Sequence, residues 1–172
     1  MITDLPSPNH GARPAGKRIS LVVRHGTAGS YLGDVAWCRN PESNVSYHYI
    51  IGRGGEVARL VDERRRAWHA GVSSWLGRAN CNDYSVGVAF SNRGPGSGEA
   101  YTDEQYAAGA HLVAGIMERW GLHLDAIVTH AEVSPGRKTD PWPHFDMRAF
   151  LVAVALERWP ASPPPPPVSV AA

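Results

Sequence analysis

Two histidines, an aspartate and a lysine are the residues of this chain best placed to do chemistry. His25 and His130 each close a short apolar run rich in β-formers and stand just before a loop; Asp140 follows ten residues after His130. Zinc takes imidazole and carboxylate ligands, three of them from protein when a water must hold the fourth position. Two strand-end histidines and a loop carboxylate converge if their strands are neighbours. No compact signature of the H-E-x-x-H kind is present, so three unrelated polar residues on a loop-rich edge is the plain alternative. Lys138 lies in the stiff stretch Ser134 to Pro141, two residues before Asp140, and is one of two lysines against fifteen arginines. A compact ammonium suits an oxyanion; an incidental surface lysine is the competing reading.

The elements that must position these residues follow from patterning. Ile19 to Arg24 and Ala126 to Thr129 read as buried strands. Val45 to Ile51 and Glu56 to Val61 flank Arg53-Gly54-Gly55 and read as a hairpin. Tyr84 to Ser91 reads as a central strand, Val35 to Arg39 as part of a short helix, and Arg64 to Arg66 as a solvated charge run. Thr102 to Trp120 is the clearest helix: Thr102 and Gln105 form a capping box, Tyr106, Ala110, Val113, Met117 and Trp120 recur on one face, and Gly121 suits a left-handed C-terminal position. Asp146 to Arg158 reads as a final amphipathic helix with Phe150, Leu151, Val154 and the following Trp159 inward. Mixed strands and helices give an α/β class, a single domain whose central mixed β-sheet is flanked by helices.

Composition bounds the rest. A chain of 172 residues, 43% hydrophobic and 19% charged, suits one domain. A net charge of +1 argues against a nucleic-acid partner held by phosphate neutralisation. Two cysteines cannot build a disulfide scaffold or a four-thiolate zinc site. No apolar run approaches spanning length, so no membrane insertion is expected. Residues 1–16 carry no apolar core and read as an N-terminal extension without a secretory signal, which implies synthesis in the cytoplasm. Residues 160–172, with prolines at 163–167, read as a disordered tail or a linker to another module.

Six stretches, in order, carry a resemblance: Leu21 to Gly29 (LVVRHGTAG), Val45 to Ile51 (VSYHYII), Ala67 to Gly71 (AWHAG), Gly77 to Asp83 (GRANCND), Tyr101 to Tyr106 (YTDEQY), and His130 to Pro141. Together they resemble the zinc-dependent N-acetylmuramoyl-L-alanine amidases of the type-2 amidase and peptidoglycan-recognition superfamily, over about residues 19 to 158. The resemblance makes 17–159 the catalytic domain and implies Zn²⁺ held by His25, His130 and Asp140. It places Lys138 beside the reacting carbonyl and Tyr47 at the metal site, both as catalytic residues. Trp68 and His69 should line the groove for glycan and stem peptide, which Arg78 and Asn80 border. His48 is grouped with these substrate contacts and, like His69, is a candidate shuttle to the leaving amine; a buried, hydrogen-bonded role is its alternative.

Three departures matter. Many relatives carry a glutamate where this chain has Ala89, so a glutamate-dependent mechanism is excluded at that position. The phage lysozyme-type branch also lacks it while keeping the tyrosine and lysine, which favours a phage-type endolysin acting on the wall after release. The alternatives are a non-catalytic peptidoglycan-binding module and a cytosolic muropeptide-recycling amidase. His144, four residues after Asp140, is a competing ligand. Arg24 replaces an aliphatic residue on the strand face opposite His25 and needs a polar outlet. The expected partner is peptidoglycan or a muropeptide, and the chain is expected to be a monomer.

Overall fold

The computed structural model describes residues 1–159. The Pro-rich stretch 160–172 therefore lies outside the described residues. Among the described residues ten strands form in chain order: β1 (Ile2–Asp4), β2 (His10–Ala12), β3 (Leu21–Gly26), β4 (Tyr49–Ile51), β5 (Val57–Arg59), β6 (Arg65–Ala67), β7 (Ser74–Trp75), β8 (Arg78–Ala79), β9 (Ser85–Phe90) and β10 (Ile127–Thr129). The α-helices are α1 (Tyr31–Arg39), α2 (Asp103–Trp120), α3 (His130–Val133) and α4 (Met147–Arg158). Six strands make one sheet in the order β1-β5-β4-β9-β3-β10. All neighbours in it are parallel except the β4–β5 hairpin. This is the mixed sheet that the sequence implied.

Strand alternation sorts the side chains into layers. Val22 on β3 and Val86, Val88 and Phe90 on β9 face the main core. There they meet Ala110, Val113, Ile116 and Met117 of α2 and Phe150 and Val154 of α4. The capping box expected at Thr102 and Gln105 forms, and Gly121 ends α2 at φ 64°. On the opposite face, Leu21 and Val23 pack with Ala70, Tyr84 and Val128. Ala89 and Ile50 pack there beneath Val35 and Cys38 of α1. His25 falls in step with Leu21 and Val23, so the sheet delivers it to the second face at the C-terminal end of β3. Such strand ends are where open α/β sheets leave a crevice.

Three local expectations change. Residues 1–16 join the structure: β1 pairs with β5, β2 pairs with β6, and Ser7 and Asn9 are buried. Arg65 and Arg66 fall in β6, and Arg64 and Arg65 stay exposed, so the charge run is a solvated face carried partly on a strand. Trp159 is 53% exposed, beyond the last packed turn of α4. Arg24 finds no polar outlet. It is fully buried, and its guanidinium stands 3.1 Å from the Phe145 ring centre, 4.6 Å from Phe90 and 4.8 Å from Tyr101. None of its N–H groups has a hydrogen-bond partner among the described residues. Burial pulls its pKa down to about 9, so it remains a cation at neutral pH inside an aromatic box. No helix among the described residues is long and apolar enough to cross a membrane.

Candidate metal centre and its cleft

His25 and His130 are brought together because β3 and β10 are parallel neighbours, with Thr129 opposite Arg24. His130 is the first residue of α3, whose start is fixed by a reciprocal cap between Thr129 and Glu132. The loop after α3 returns Asp140 to the same point: the Ala131 N–H donates to the Asp140 carbonyl at 2.9 Å and the Gly26 N–H to its Oδ2 at 3.3 Å. The three side chains are buried, and their ligand atoms lie within 4.8 Å of one another. His25 Nδ1 is 3.0 Å from His130 Nδ1 and 3.5 Å from Asp140 Oδ2; His130 Nδ1 is 3.1 Å from Asp140 Oδ1.

Hydrogen bonds behind the ligands set their tautomers. Ser85 Oγ donates to the Cys81 carbonyl at 2.6 Å and so accepts from His69 Nε2 at 3.1 Å. His69 Nδ1 is then an acceptor, and His25 Nε2 donates to it at 3.0 Å. His130 Nε2 donates to the Ala70 carbonyl at 3.2 Å. Both ligand histidines therefore turn an unprotonated Nδ1 toward the same point and the same carboxylate. Two lone pairs 3.0 Å apart with an anion beside them repel unless a cation lies between them. The donor set of two imidazoles and one carboxylate fits zinc, and the outer bonds are of the kind that orient metal-binding histidines.

Protonation follows burial. Burial, reinforced by the neighbouring His130, lowers His25 to about 4. His69 is held well below its ordinary range, first by burial and then by His25 and His48. For Asp140, burial raises the carboxyl, and a proton taken up on the facing Nδ1 of His130 or His25 lowers it by more, to well below the usual range.

The centre opens into a cleft of about 590 Å³. Tyr47, Trp68, His69 and Lys138 all line it. The Tyr47 ring lies 5.0 Å from that of His25, and burial raises its phenol pKa. His69 forms part of the floor. Its ring lies on Gly87 of β9, where a Cβ would come within 2.5 Å of Cγ, so glycine is needed there.

Three proposed substrate contacts do not reach the cleft. His48 is fully buried; its Nδ1 accepts from the Gly87 N–H at 2.8 Å and its Nε2 meets the Arg65 carbonyl at 3.1 Å. It ties β4 to β9 and β6, which corrects its grouping with the substrate contacts. Arg78 lies on the β7–β8 hairpin, stacks 4.0 Å over Tyr84 and donates to Ser20 Oγ. Asn80 is exposed at φ 59° at the end of that hairpin. The cleft residue from that stretch is Asn82, whose Oδ1 accepts from the His69 and Ala70 N–H groups at 3.2 and 2.8 Å. His144 is exposed and stands outside the donor cluster. Sequence reasoning also missed Asp34, Trp37, Arg137 and Trp142, all of which line the cleft. Arg137 was legible only as the neighbour of Lys138; it donates to the Ala70 and Val72 carbonyls and braces the cleft rim.

The fold and site thus define an α/β protein with a buried two-histidine, one-carboxylate centre at the C-terminal edge of its sheet. Residues 15–143 match the family described as N-acetylmuramoyl-L-alanine amidase. The chain is similar to 1,6-anhydro-N-acetylmuramyl-L-alanine amidase AmpD of Salmonella typhimurium strain LT2: 34% identical over 175 residues, 88% of this chain and 89% of that one. A crystal structure of a selenomethionine AmpD derivative superposes with TM-score 0.79 at 33% identity, covering 89% and 94% of the two chains. The Escherichia coli amidase AmiD, solved with anhydro-N-acetylmuramic acid-L-Ala-D-gamma-Glu-L-Lys as substrate, gives TM-score 0.73 at 30% identity, covering 83% of this chain and 60% of that one. A mutant Bacillus subtilis endolysin shares the fold, with TM-score 0.65 at 17% identity over 90% and 98% of the chains. The chain belongs to the N-acetylmuramoyl-L-alanine amidase family, and it is an amidase.

Proposed function

We propose that the chain hydrolyses the amide between N-acetylmuramic acid and L-alanine in soluble 1,6-anhydro-muropeptides, in the cytoplasm, using zinc held by His25, His130 and Asp140. The observation that carries this is the convergence of two unprotonated imidazole nitrogens and one carboxylate in the cleft. The substrate class is supported by similarity to AmpD and AmiD at 34% and 30% identity. The endolysin, at 17%, supports the fold alone. These relatives reverse the preference for an endolysin that Ala89 and Tyr47 had suggested.

When bound, the metal supplies Lewis-acid polarisation of the carbonyl and activation of a water. The chain's own residues do the rest. Lys138, at the exposed rim, places an ammonium where the carbonyl oxygen gains charge. Tyr47 stays protonated at neutral pH and can donate to that oxygen. His69 fixes the ring of His25 and, through Gly87, lies flat on the cleft floor. Trp68 presents an indole face against which a sugar ring can pack. The test compares zinc-loaded protein on a soluble anhydro-muropeptide and on intact sacculi. Peptide with a free L-alanine amine should form faster from the soluble substrate. Faster release from sacculi would restore the endolysin reading, and no release from either would refute the substrate.

A further inference from the structure

Amide hydrolysis needs a group that takes a proton from the attacking water and delivers it to the leaving nitrogen. The groups assigned so far are poorly suited to that role. Asp140 and the ligand histidines are committed to the metal, and His69 is committed to His25 and Ser85. Lys138 is a cation and Tyr47 a protonated phenol. Ala89, the register partner of His25 on β9, has no titratable side chain. One further carboxylate lines the cleft, that of Asp34 on α1.

Asp34 is built into place. Its Oδ2 accepts from Thr27 Oγ1 at 2.6 Å and from Ser91 Oγ at 2.8 Å. Thr27 follows His25 by two residues on the line of β3, and Ser91 follows Ala89 by two on the line of β9. Alternation puts both hydroxyls on the face of His25 and Ala89, one pleat or about 7 Å further along. The carboxylate thus bridges the two strand ends on the ligand face. Its Oδ1 has no hydrogen-bond partner among the described residues, and the bare Cα of Gly29 makes room for it: a Cβ there would lie 2.6 Å from Oδ1. Burial raises the Asp34 pKa, and its two hydroxyl partners only partly oppose this. The titratable groups facing it are Cys38 on its own helix and Tyr47 ahead of β4, both kept neutral by burial; Lys138 and Asp140 lie across the same cleft.

We propose that Asp34 is the proton-transfer carboxylate of this amidase, a role that rests on the amidase reading above. As the water oxygen bonds to the amide carbon, one water proton passes to Asp34 Oδ1. As the C–N bond breaks, that proton passes to the alanine nitrogen. The second water proton stays with the new carboxyl group and is lost to solvent at neutral pH. Thr27 and Ser91 are positioning residues: they hold Oδ2 and leave Oδ1 without a hydrogen-bond partner among the described residues.

The experiment is Asp34→Asn in the full zinc-loaded chain, with zinc content measured alongside kinetics on a soluble anhydro-muropeptide. The expected result is a fall in kcat of about 100-fold or more, with KM and zinc content within threefold of the parent and the acid limb of the kcat/KM profile gone. In the metal-free chain, a carboxyl NMR resonance that vanishes in Asp34→Asn should titrate above the ordinary aspartate value. Asp34→Ala, which leaves space for a small acid, should regain activity with added formate. Undiminished kcat in Asp34→Asn overturns the proposal. So does a loss that tracks zinc content and is not rescued by formate, or a carboxyl that titrates at or below the ordinary value. A parent chain that releases no free alanine amine refutes the amidase substrate instead, which keeps the two failures distinguishable.

Discussion

At the scale of single residues, the proposed mechanism separates metal binding from charge stabilisation. Lys138 touches none of the three ligands and is exposed at the rim. Lys138→Ala should therefore retain full zinc content while losing about 100- to 1,000-fold in kcat, the usual effect of removing one oxyanion donor. Metal analysis beside steady-state kinetics reads both, and unchanged kcat would remove the lysine from the reaction. Asp140 makes the opposite case. Its two oxygens face both Nδ1 atoms, so Asp140→Ala leaves two imidazoles and no anion. Zinc should be lost on dialysis against a weak chelator. Retention at parental stoichiometry would bring the exposed His144 back as a ligand, which would require the loop after Asp140 to refold.

Elements decide what could be read from sequence. Those built from local signals were legible: the capping box and Gly121 bound α2 within a residue of expectation, and the Gly54-Gly55 turn gives the β4–β5 hairpin. His25, His130 and Asp140 could be named because strand ends with a polar residue before a loop are a local pattern, sharpened by the resemblance. What the chain hides is long-range. Asn9 sits in a stretch without apolar periodicity, yet its Nδ2 reaches the carbonyls of Cys38, Asn40 and Val45 at 3.1, 2.8 and 3.1 Å. Its partners are separated from it by about thirty residues of sequence, and no spacing rule announces them. Arg78 was misplaced for a related reason: a matching stretch fixes a hairpin but not which of its side chains turn inward, and Asn82 does. Asn9 clamps the end of α1 to the segment leading into Tyr47, so it holds one wall of the cleft. Asn9→Ala should destabilise the fold by about 1–3 kcal/mol, the cost of leaving buried carbonyls unpaired. It should also raise KM more than it lowers kcat, because the wall moves while the ligands do not. Urea unfolding and kinetics check this, and an unchanged unfolding midpoint would show that β1 and β2 contribute little.

For the whole molecule, the consequence is sensitivity to acid. Three neighbouring histidines are buried without charge: burial takes His25 to about 4 and His48 to about 3, and holds His69 well below its ordinary range. In the unfolded chain each titrates near 6.5. Above that value neither state binds these protons, and they do not affect stability. Between pH 6.5 and about 4 the unfolded chain takes up protons that the fold excludes, so stability falls as pH falls. Asp140 acts in the same direction, because its depressed carboxyl must be protonated as the pH drops further. On the proposed zinc reading, added zinc should stabilise the native state by mass action, but its ligands must be deprotonated to bind it, so this protection should also weaken in acid. The urea midpoint of the metal-free chain should therefore decline steadily from pH 7.5 through 6.0 to 4.5, and a flat profile would contradict it. His48 is the cleanest single test, because it touches neither substrate nor metal ligand. In His48→Asn the side-chain oxygen can still accept from the Gly87 N–H, while one titrating group is gone. The slope between pH 6.5 and 4.5 should flatten with little change at pH 7.5; a parental slope would assign the acid response to His25, His69 and Asp140 alone.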